Sequence, residues 1–190
     1  MTTRRDRPIP PLDAPALERM ALRYVERFAT TRGKLADYLR RKVRERGWAG
    51  EQPADPVALA ERMAALGYVD DRAYAEMKAA ALTRRGLGTR RVAVALKVAR
   101  IDADAAAEAT DAVAGEARRA AIVFARRRRL GPFGAPPADR AARERQVAAM
   151  LRAGHSMTLA RMIVDAKAPL DPDDPDEEAL QNRCDDDEAC

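Results

Sequence analysis

The chain has 190 residues, of which 47% are hydrophobic and 34% charged, so it can build the core of one domain or two small ones and is not disordered throughout. Only 4% of the residues are aromatic, and Ala, Leu, Val and Met dominate the apolar set, which favours helices over β-sandwiches and β-barrels. The net charge of +5 divides unevenly, because residues 171–190 carry −9 and residues 1–170 carry +14.

Apolar spacing and capping residues predict one helix after another, with short joints and no strand. A proline-rich flexible arm over 1–13 comes first. The predicted helices then cover about 14–28, 34–46, 56–66, 71–85, 89–99, 103–114, 116–129, 140–151 and 156–166. Prolines and a low apolar content after 168 predict an acidic disordered tail over 169–190.

The helix ends indicate an internal repeat. Similar helix ends fall at Gly47, Arg100 and Gly154, which are 53 and 54 residues apart. Units of this size cannot bury their apolar faces alone, and stacking them does so. The sequence therefore predicts a helical domain over 14–168 made of tandem three-helix repeats, about 14–66, 67–114 and 115–168, which form an elongated curved array.

The middle repeat carries a recognisable motif. It contains Leu66-Gly67-Tyr68-Val69-Asp70-Asp71, then Tyr74, then Arg84-Arg85-Gly86-Leu87-Gly88. This pattern resembles the RecX family, regulators of the RecA recombinase, strongly over 57–102 and more weakly over 15–166. The chain departs from the family at Thr89, where members often have Pro, and at Ala99-Arg100, where they have Lys-Gly.

The motif also has a structural interpretation. Gly67 is predicted to end a helix with positive φ, Gly86 and Gly88 to form a tight joint, and Tyr74 to face inward. Leu66 and Tyr68 are predicted to be a buried anchor between helices, and Asp70 and Asp71 to cap the next helix. The alternative is direct contact between these residues and a partner.

No catalytic constellation is evident in the sequence. His155 is the only histidine, and its turn position predicts a packed side chain rather than acid–base or metal chemistry. Cys184 and Cys190 fall short of a zinc site, although a redox or metal role stays open. We expect a protein that is not an enzyme and has no cofactor or metal. The arginine-rich start lacks a signal-peptide core, and no apolar run is long enough to cross a membrane, so we expect a cytoplasmic protein.

Clustered arginines supply the remaining chemistry, since the planar guanidinium suits phosphate and carboxylate. Clustered bases are also common on ordinary solvated surface, but several clusters on one basic body favour contact with a polyanion or an acidic protein. The candidate residues for binding a partner or nucleic acid are Arg40, Arg41, Arg44, Arg84, Arg85, Arg90, Arg91, Arg118, Arg119 and Arg126.

The resemblance implies a non-enzymatic regulator of homologous recombination and DNA repair. It would bind RecA or its filament on single-stranded DNA, directly or through RecA, and mainly inhibit ATP hydrolysis and strand exchange, as a monomer. A helical module that binds nucleic acid without RecA and a purely structural adaptor are the alternatives. The opposed charges of body and tail raise the hypothesis that the tail competes for the arginine faces.

Overall fold

The computed structural model describes residues 10–174, and this part of the chain forms nine α-helices, two short 3₁₀ helices and no β-strand. The predicted all-α class is therefore confirmed. In chain order the helices are α1 (Ala14–Arg27), α2 (Arg32–Arg46), α3 (Pro56–Ala65), α4 (Asp71–Arg84), α5 (Thr89–Val98), α6 (Ala103–Asp111), α7 (Ala117–Arg128), α8 (Arg140–Arg152) and α9 (Met157–Val164). The 3₁₀ helices are Ala114–Glu116 and Gly131–Phe133.

Short polar side chains begin most of these helices. Their oxygens accept backbone N–H groups that the first helical turn leaves unpaired. The carboxylate of Asp13 accepts the N–H of Ala16 at 2.8 Å, and that of Asp139 accepts the N–H of Ala142 at 2.6 Å. Further caps are Thr31, Asp55, Asp70, Asp102 and Ser156.

The chain divides into two compact units. The first runs through Ala75 and takes up Lys97–Ala105, whereas the second holds Glu76–Leu96 and the chain from Ala106 onward. Helices α4, α5 and α6 therefore each begin in one unit and end in the other.

The core of the first unit lies among α1, α2 and α3. Leu12, Leu35, Leu39 and Met63 are fully buried there. Leu12 belongs to the segment predicted as a flexible arm, but it forms a β-bridge with Trp48 and its N–H donates to the Gly47 carbonyl at 3.0 Å. The arm prediction is wrong for this residue, because a fully buried leucine fixes the chain before α1; residues 1–9 lie outside the described residues.

The core of the second unit lies among α7, α8 and α9. Ile122, Met150 and Ile163 are fully buried in it. Leu170, inside the segment predicted as a disordered tail, packs against this core. The described chain thus stays packed past 168, while 175–190 lie outside the described residues.

The three predicted repeat ends all have positive φ. Gly47, Arg100 and Gly154 have φ values of 80°, 60° and 96°. A positive φ is unstrained for glycine and strained for other residues. Arg100 therefore has a backbone conformation that glycine would adopt at lower cost. Gly67, Gly86, Arg129 and Gly131 also have positive φ, so the internal repeat stays a prediction.

In two of these turns, the carbonyl just before the positive-φ residue accepts a hydrogen bond from a distant part of the chain. In the first unit the Thr31 hydroxyl donates to the Ala99 carbonyl at 2.5 Å. In the second unit the N–H of Gly88 donates to the Ala153 carbonyl at 3.0 Å. A side chain at Gly88 would overlap the Gly154 carbonyl, so this joint requires glycine.

Two details of the motif differ from the sequence interpretation. Leu66 and Tyr68 are 56% and 53% exposed, so their prediction as a buried anchor is wrong. Gly67 ends α3 with φ 80°, and after this turn Val69, only 6% exposed, enters the core in their place. Asp71 is not a cap: Asp70 caps α4, while the buried Asp71 binds Arg32 at the start of α2.

Candidate functional site

The arginines predicted on α2 have carboxylate partners close by. Arg40 pairs with Asp37 at 2.8 Å, and Arg41 pairs with Glu45 at 3.6 Å. Asp37 also forms an ion pair with Arg100 at 3.2 Å. These exposed pairs contribute little to stability, but they give Arg40 and Arg41 a carboxylate partner each.

The most connected arginine of the first unit is Arg32, which the sequence analysis did not single out. Its guanidinium reaches Asp71 at 3.1 Å, Glu61 at 3.0 Å and Asp102 at 3.4 Å. The hydrogen bonds to Glu61 and Asp71 raise the pKa of Arg32 above its ordinary value. Its three partners come from distant parts of the sequence, and no local spacing predicts their convergence.

In the second unit, arginines from two separate predicted clusters meet. Arg84, in the last turn of α4, and Arg119, in the first turn of α7, line one surface concavity of about 220 Å³. Gly86 permits this approach, because a side chain there would collide with the α7 backbone at Phe124. Arg127 of α7 also donates to the Arg85 carbonyl at 3.0 Å. We call Arg84, Arg85, Arg118, Arg119 and Arg127 the α4–α7 surface.

The α4–α7 surface includes arginines that pair with no carboxylate of the described chain. Within 10–174, the side chains of Arg84 and Arg85 form no ion pair, and both residues are exposed. The acidic residue that lines the concavity is Glu116. Positive groups gathered in a concave surface attract anions more strongly than the same charges spread apart.

Residues 171–174, at the start of the predicted acidic tail, contact this surface. Arg118 donates to the carbonyls of Asp171 and Asp174, both at 3.3 Å. Arg119 pairs with the Asp173 carboxylate at 2.9 Å. Residues 171–174 thus contact arginines of the first turn of α7, the end of a helix that favours negative charge.

The other candidate arginines of the second unit lie outside the concavity. Arg90 and Arg91 are exposed in the first turn of α5, where the backbone passes close to Gly154. Arg126 lies over the Phe133 ring at 5.7 Å. The structure therefore brings part of the predicted set together and leaves Arg40, Arg41 and Arg44 in the first unit.

His155 has the packed environment that the sequence predicts. It is 2% exposed, its ring lies 5.5 Å from that of Phe124, and Nε2 donates to the Gly86 carbonyl at 3.2 Å. Burial lowers the pKa of His155, only partly opposed by that hydrogen bond, so the neutral ring is favoured. Its Nδ1 is buried and unpaired within the described chain, and a neutral ring closed off in this way supports packing rather than proton transfer.

A larger concavity of about 760 Å³ lies in the first unit, and the sequence analysis did not predict it. Trp48, Pro53 and Leu59 are among its apolar lining residues, and Arg62 and Glu18, which also line it, form an ion pair at 3.2 Å. None of the candidate arginines lines it. Among residues 10–174 no cluster of three or more His, Cys, Asp or Glu could hold a metal ion. No helix in the same stretch is long and apolar enough to span a membrane.

Comparison with curated proteins finds relatives with one shared name. The chain is 38% identical over 160 residues to "Regulatory protein RecX" of Myxococcus xanthus strain DK1622, covering 79% of this chain and 84% of the relative. It is 30% identical over 151 residues to the protein of the same name from Agrobacterium fabrum strain C58, covering 76% and 79%. No protein-family model matches the chain.

Solved structures share the fold. A crystal structure of RecX from Lactobacillus salivarius superposes with a TM-score of 0.57 at 18% identity, covering 78% of this chain and 92% of that one. A second, described as regulatory protein RecX, has a TM-score of 0.57 at 17% identity, with 80% and 73% covered. The all-helical fold is thus the same in proteins of low sequence identity.

Proposed function

Because the chain belongs to the RecX family of regulatory proteins, we propose that it regulates homologous recombination and DNA repair by binding the RecA recombinase. Its target is RecA assembled on single-stranded DNA, and its main effect is to inhibit ATP hydrolysis and strand exchange. It works without catalysis or a cofactor, as a monomer in the cytoplasm.

The observation that carries this proposal is the incompletely neutralised α4–α7 surface. A filament of protein and DNA presents phosphates and acidic side chains, and guanidinium groups bind both. The concavity between Arg84 and Arg119 offers two such groups to one anion or to neighbouring anions.

The remaining candidate arginines extend the contact. Exposed side chains on α2 and on the first turn of α5 provide additional positive charge outside that concavity. In the proposed function the whole set contacts RecA, its bound DNA or both: Arg40, Arg41, Arg44, Arg84, Arg85, Arg90, Arg91, Arg118, Arg119 and Arg126.

A titration of the ATPase activity of the cognate RecA on single-stranded DNA tests this function. Addition of the full chain at low salt should lower ATP hydrolysis in a saturable way. The variant Arg84→Glu/Arg119→Glu should need a higher concentration for the same inhibition. Arg145→Glu/Arg152→Glu makes the same charge change at exposed positions of α8 and should behave like the wild type.

An ATPase rate and strand exchange that stay unchanged at saturating protein would contradict regulation of RecA. Tight binding to single-stranded DNA in that same experiment would instead support the RecA-independent nucleic-acid module. Inhibition that survives charge reversal at every candidate arginine would support contact through an uncharged surface.

A further inference from the structure

We propose that the α4–α7 surface is the docking site of the chain's own acidic segment, residues 175–190, which must leave before an external polyanion can bind there. The proposal concerns an intramolecular contact and rests on the proposed function only for the identity of that polyanion.

Two hydrogen bonds and one ion pair hold residues 171–174 against the α4–α7 surface. Arg118 holds the backbone at Asp171 and Asp174, and Arg119 pairs with Asp173. The segment that follows therefore starts from the same surface that Arg84 and Arg119 line.

Charge and length both suit this occupant. Residues 175–190 contain seven acidic residues and one basic residue, Arg183. An extended chain advances at most about 3.3–3.6 Å per residue, so a contact made by Asp176, Glu177 or Glu178 must fall within roughly 7–14 Å of Asp174. This distance is comparable to the spacing of neighbouring side chains on one concave surface. The acidic residues at 185–188 can contact groups farther from Asp174.

The strength of the contact must come from many weak charges. The Arg119–Asp173 pair leaves both side chains more than half exposed, with relative accessibilities of 53% and 68%. A pair of this kind contributes about 0.2–1 kcal/mol. Tethering compensates, because a short covalent connection to the surface gives the segment an effective concentration in the millimolar range. Such docking is reversible, sensitive to salt and open to competition by a longer polyanion.

The cysteines provide a direct test in the full chain. Both of them, Cys184 and Cys190, lie in the acidic segment. With Cys190→Ser, a nitroxide label on Cys184 broadens the amide signals of residues that it approaches. At low salt we expect broadening at 84–85 and 116–123, and recovery of those signals at about 0.5 M salt, where screening is strong.

Matched variants separate a specific site from general attraction. Arg84→Glu/Arg119→Glu should abolish the broadening on α4 and α7, whereas Arg145→Glu/Arg152→Glu should leave it intact. Absence of broadening at low salt, or broadening that the first variant leaves unchanged, overturns the proposal.

A second measurement tests competition. Neutralising the seven acids of 175–190 to Asn or Gln in the full chain should tighten binding of a fluorescent oligo-dT several-fold at low salt. Unchanged affinity overturns the competition. The labelling result does not depend on RecA, so failure of the docking and failure of the proposed function remain distinguishable.

Discussion

Asp70 and Asp71 are neighbours with the same side chain, yet their carboxylates perform different tasks. Asp70 accepts the N–H of Ala73 at 2.9 Å and caps α4. Asp71 accepts the backbone N–H of Arg32 at 2.8 Å and its Nε at 3.1 Å, and so connects the start of α4 to the start of α2. The capping signal in the sequence applies equally to both residues, and the long-range partner alone distinguishes them.

The same substitution at the two positions should therefore have different effects. Asp71→Asn loses the charge opposite Arg32 and should lower the free energy of unfolding by about 1–2 kcal/mol, a discounted value because Arg32 is 35% exposed. Asp70→Asn should change it by less than about 0.5 kcal/mol, because asparagine caps helices equally well. Urea unfolding of both variants measures the difference, and equal losses would contradict these assignments.

His155 should make stability depend on pH. Burial lowers the pKa of the folded protein's imidazole below the ordinary 6.5, so the unfolded chain takes up the proton first as the pH falls. The stabilisation is fully present above about pH 6.5 and is lost as the pH decreases through that value towards the lower folded pKa. Urea unfolding between pH 7.5 and about 5 should show this loss.

Since the chain has a single histidine, one variant provides the control. His155→Gln retains a donor for the Gly86 carbonyl but does not titrate. Its stability should be nearly constant over this pH range, although lower overall because the side chain packs differently. A wild-type protein as insensitive to pH as this variant would show that His155 is not the responsible group.

At the scale of the helices, the sequence predicted most of the fold. Helix starts could be predicted because Asp13, Asp55, Asp139 and Ser156 precede apolar stripes of helical period. The turn after α3 was harder, because Leu66, Tyr68 and Val69 are all apolar candidates for one buried position. The left-handed Gly67 sets the direction of the chain there, and the sequence does not reveal which neighbour then points inward.

The turn after α5 offers a test at the same scale. Arg100 has φ 60°, a conformation that costs a residue with a side chain about 1–2 kcal/mol. Arg100→Gly and Arg100→Ala both remove the ion pair with Asp37, so their comparison isolates the backbone. The glycine variant should be the more stable by about 1 kcal/mol in thermal or urea unfolding.

The matched control lies three residues earlier. Lys97 is exposed in the last turn of α5, at a helical position where glycine is the poorer helix former. Lys97→Gly should therefore be less stable than Lys97→Ala by about 0.5–1 kcal/mol, the reverse of the order at Arg100. The same order at both positions would exclude backbone strain at Arg100.

At the scale of the whole molecule, total charge describes this protein poorly. The sequence showed the division between basic body and acidic end but could not show which arginines are neutralised. That distinction requires the fold, because Asp37 pairs with both Arg40 and Arg100, whereas Arg84 of α4 and Arg119 of α7 line one concavity.

The salt dependence of binding to single-stranded DNA should reflect this distinction. Each phosphate that the protein neutralises adds about 0.7 to the slope of log K against log salt. Arg84→Gln/Arg119→Gln should reduce the slope by about 1.4 and weaken binding to all sequences alike. Arg145→Gln/Arg152→Gln should leave the slope unchanged. Equal slopes in all three proteins would contradict phosphate contact at the α4–α7 surface.

The interlaced division of the chain into units also bears on its synthesis. The first unit includes Lys97–Ala105, and the Thr31 hydroxyl finds its acceptor only at Ala99. When a nascent chain has left the ribosome as far as Leu96, it still lacks Lys97–Ala105, which belong to its first unit. Residues 76–96, which belong to the second unit, are already outside. We therefore expect the amino-terminal unit to complete its fold only after residue 105 has emerged, and residues 76–96 to pack only when the chain beyond Ala106 follows.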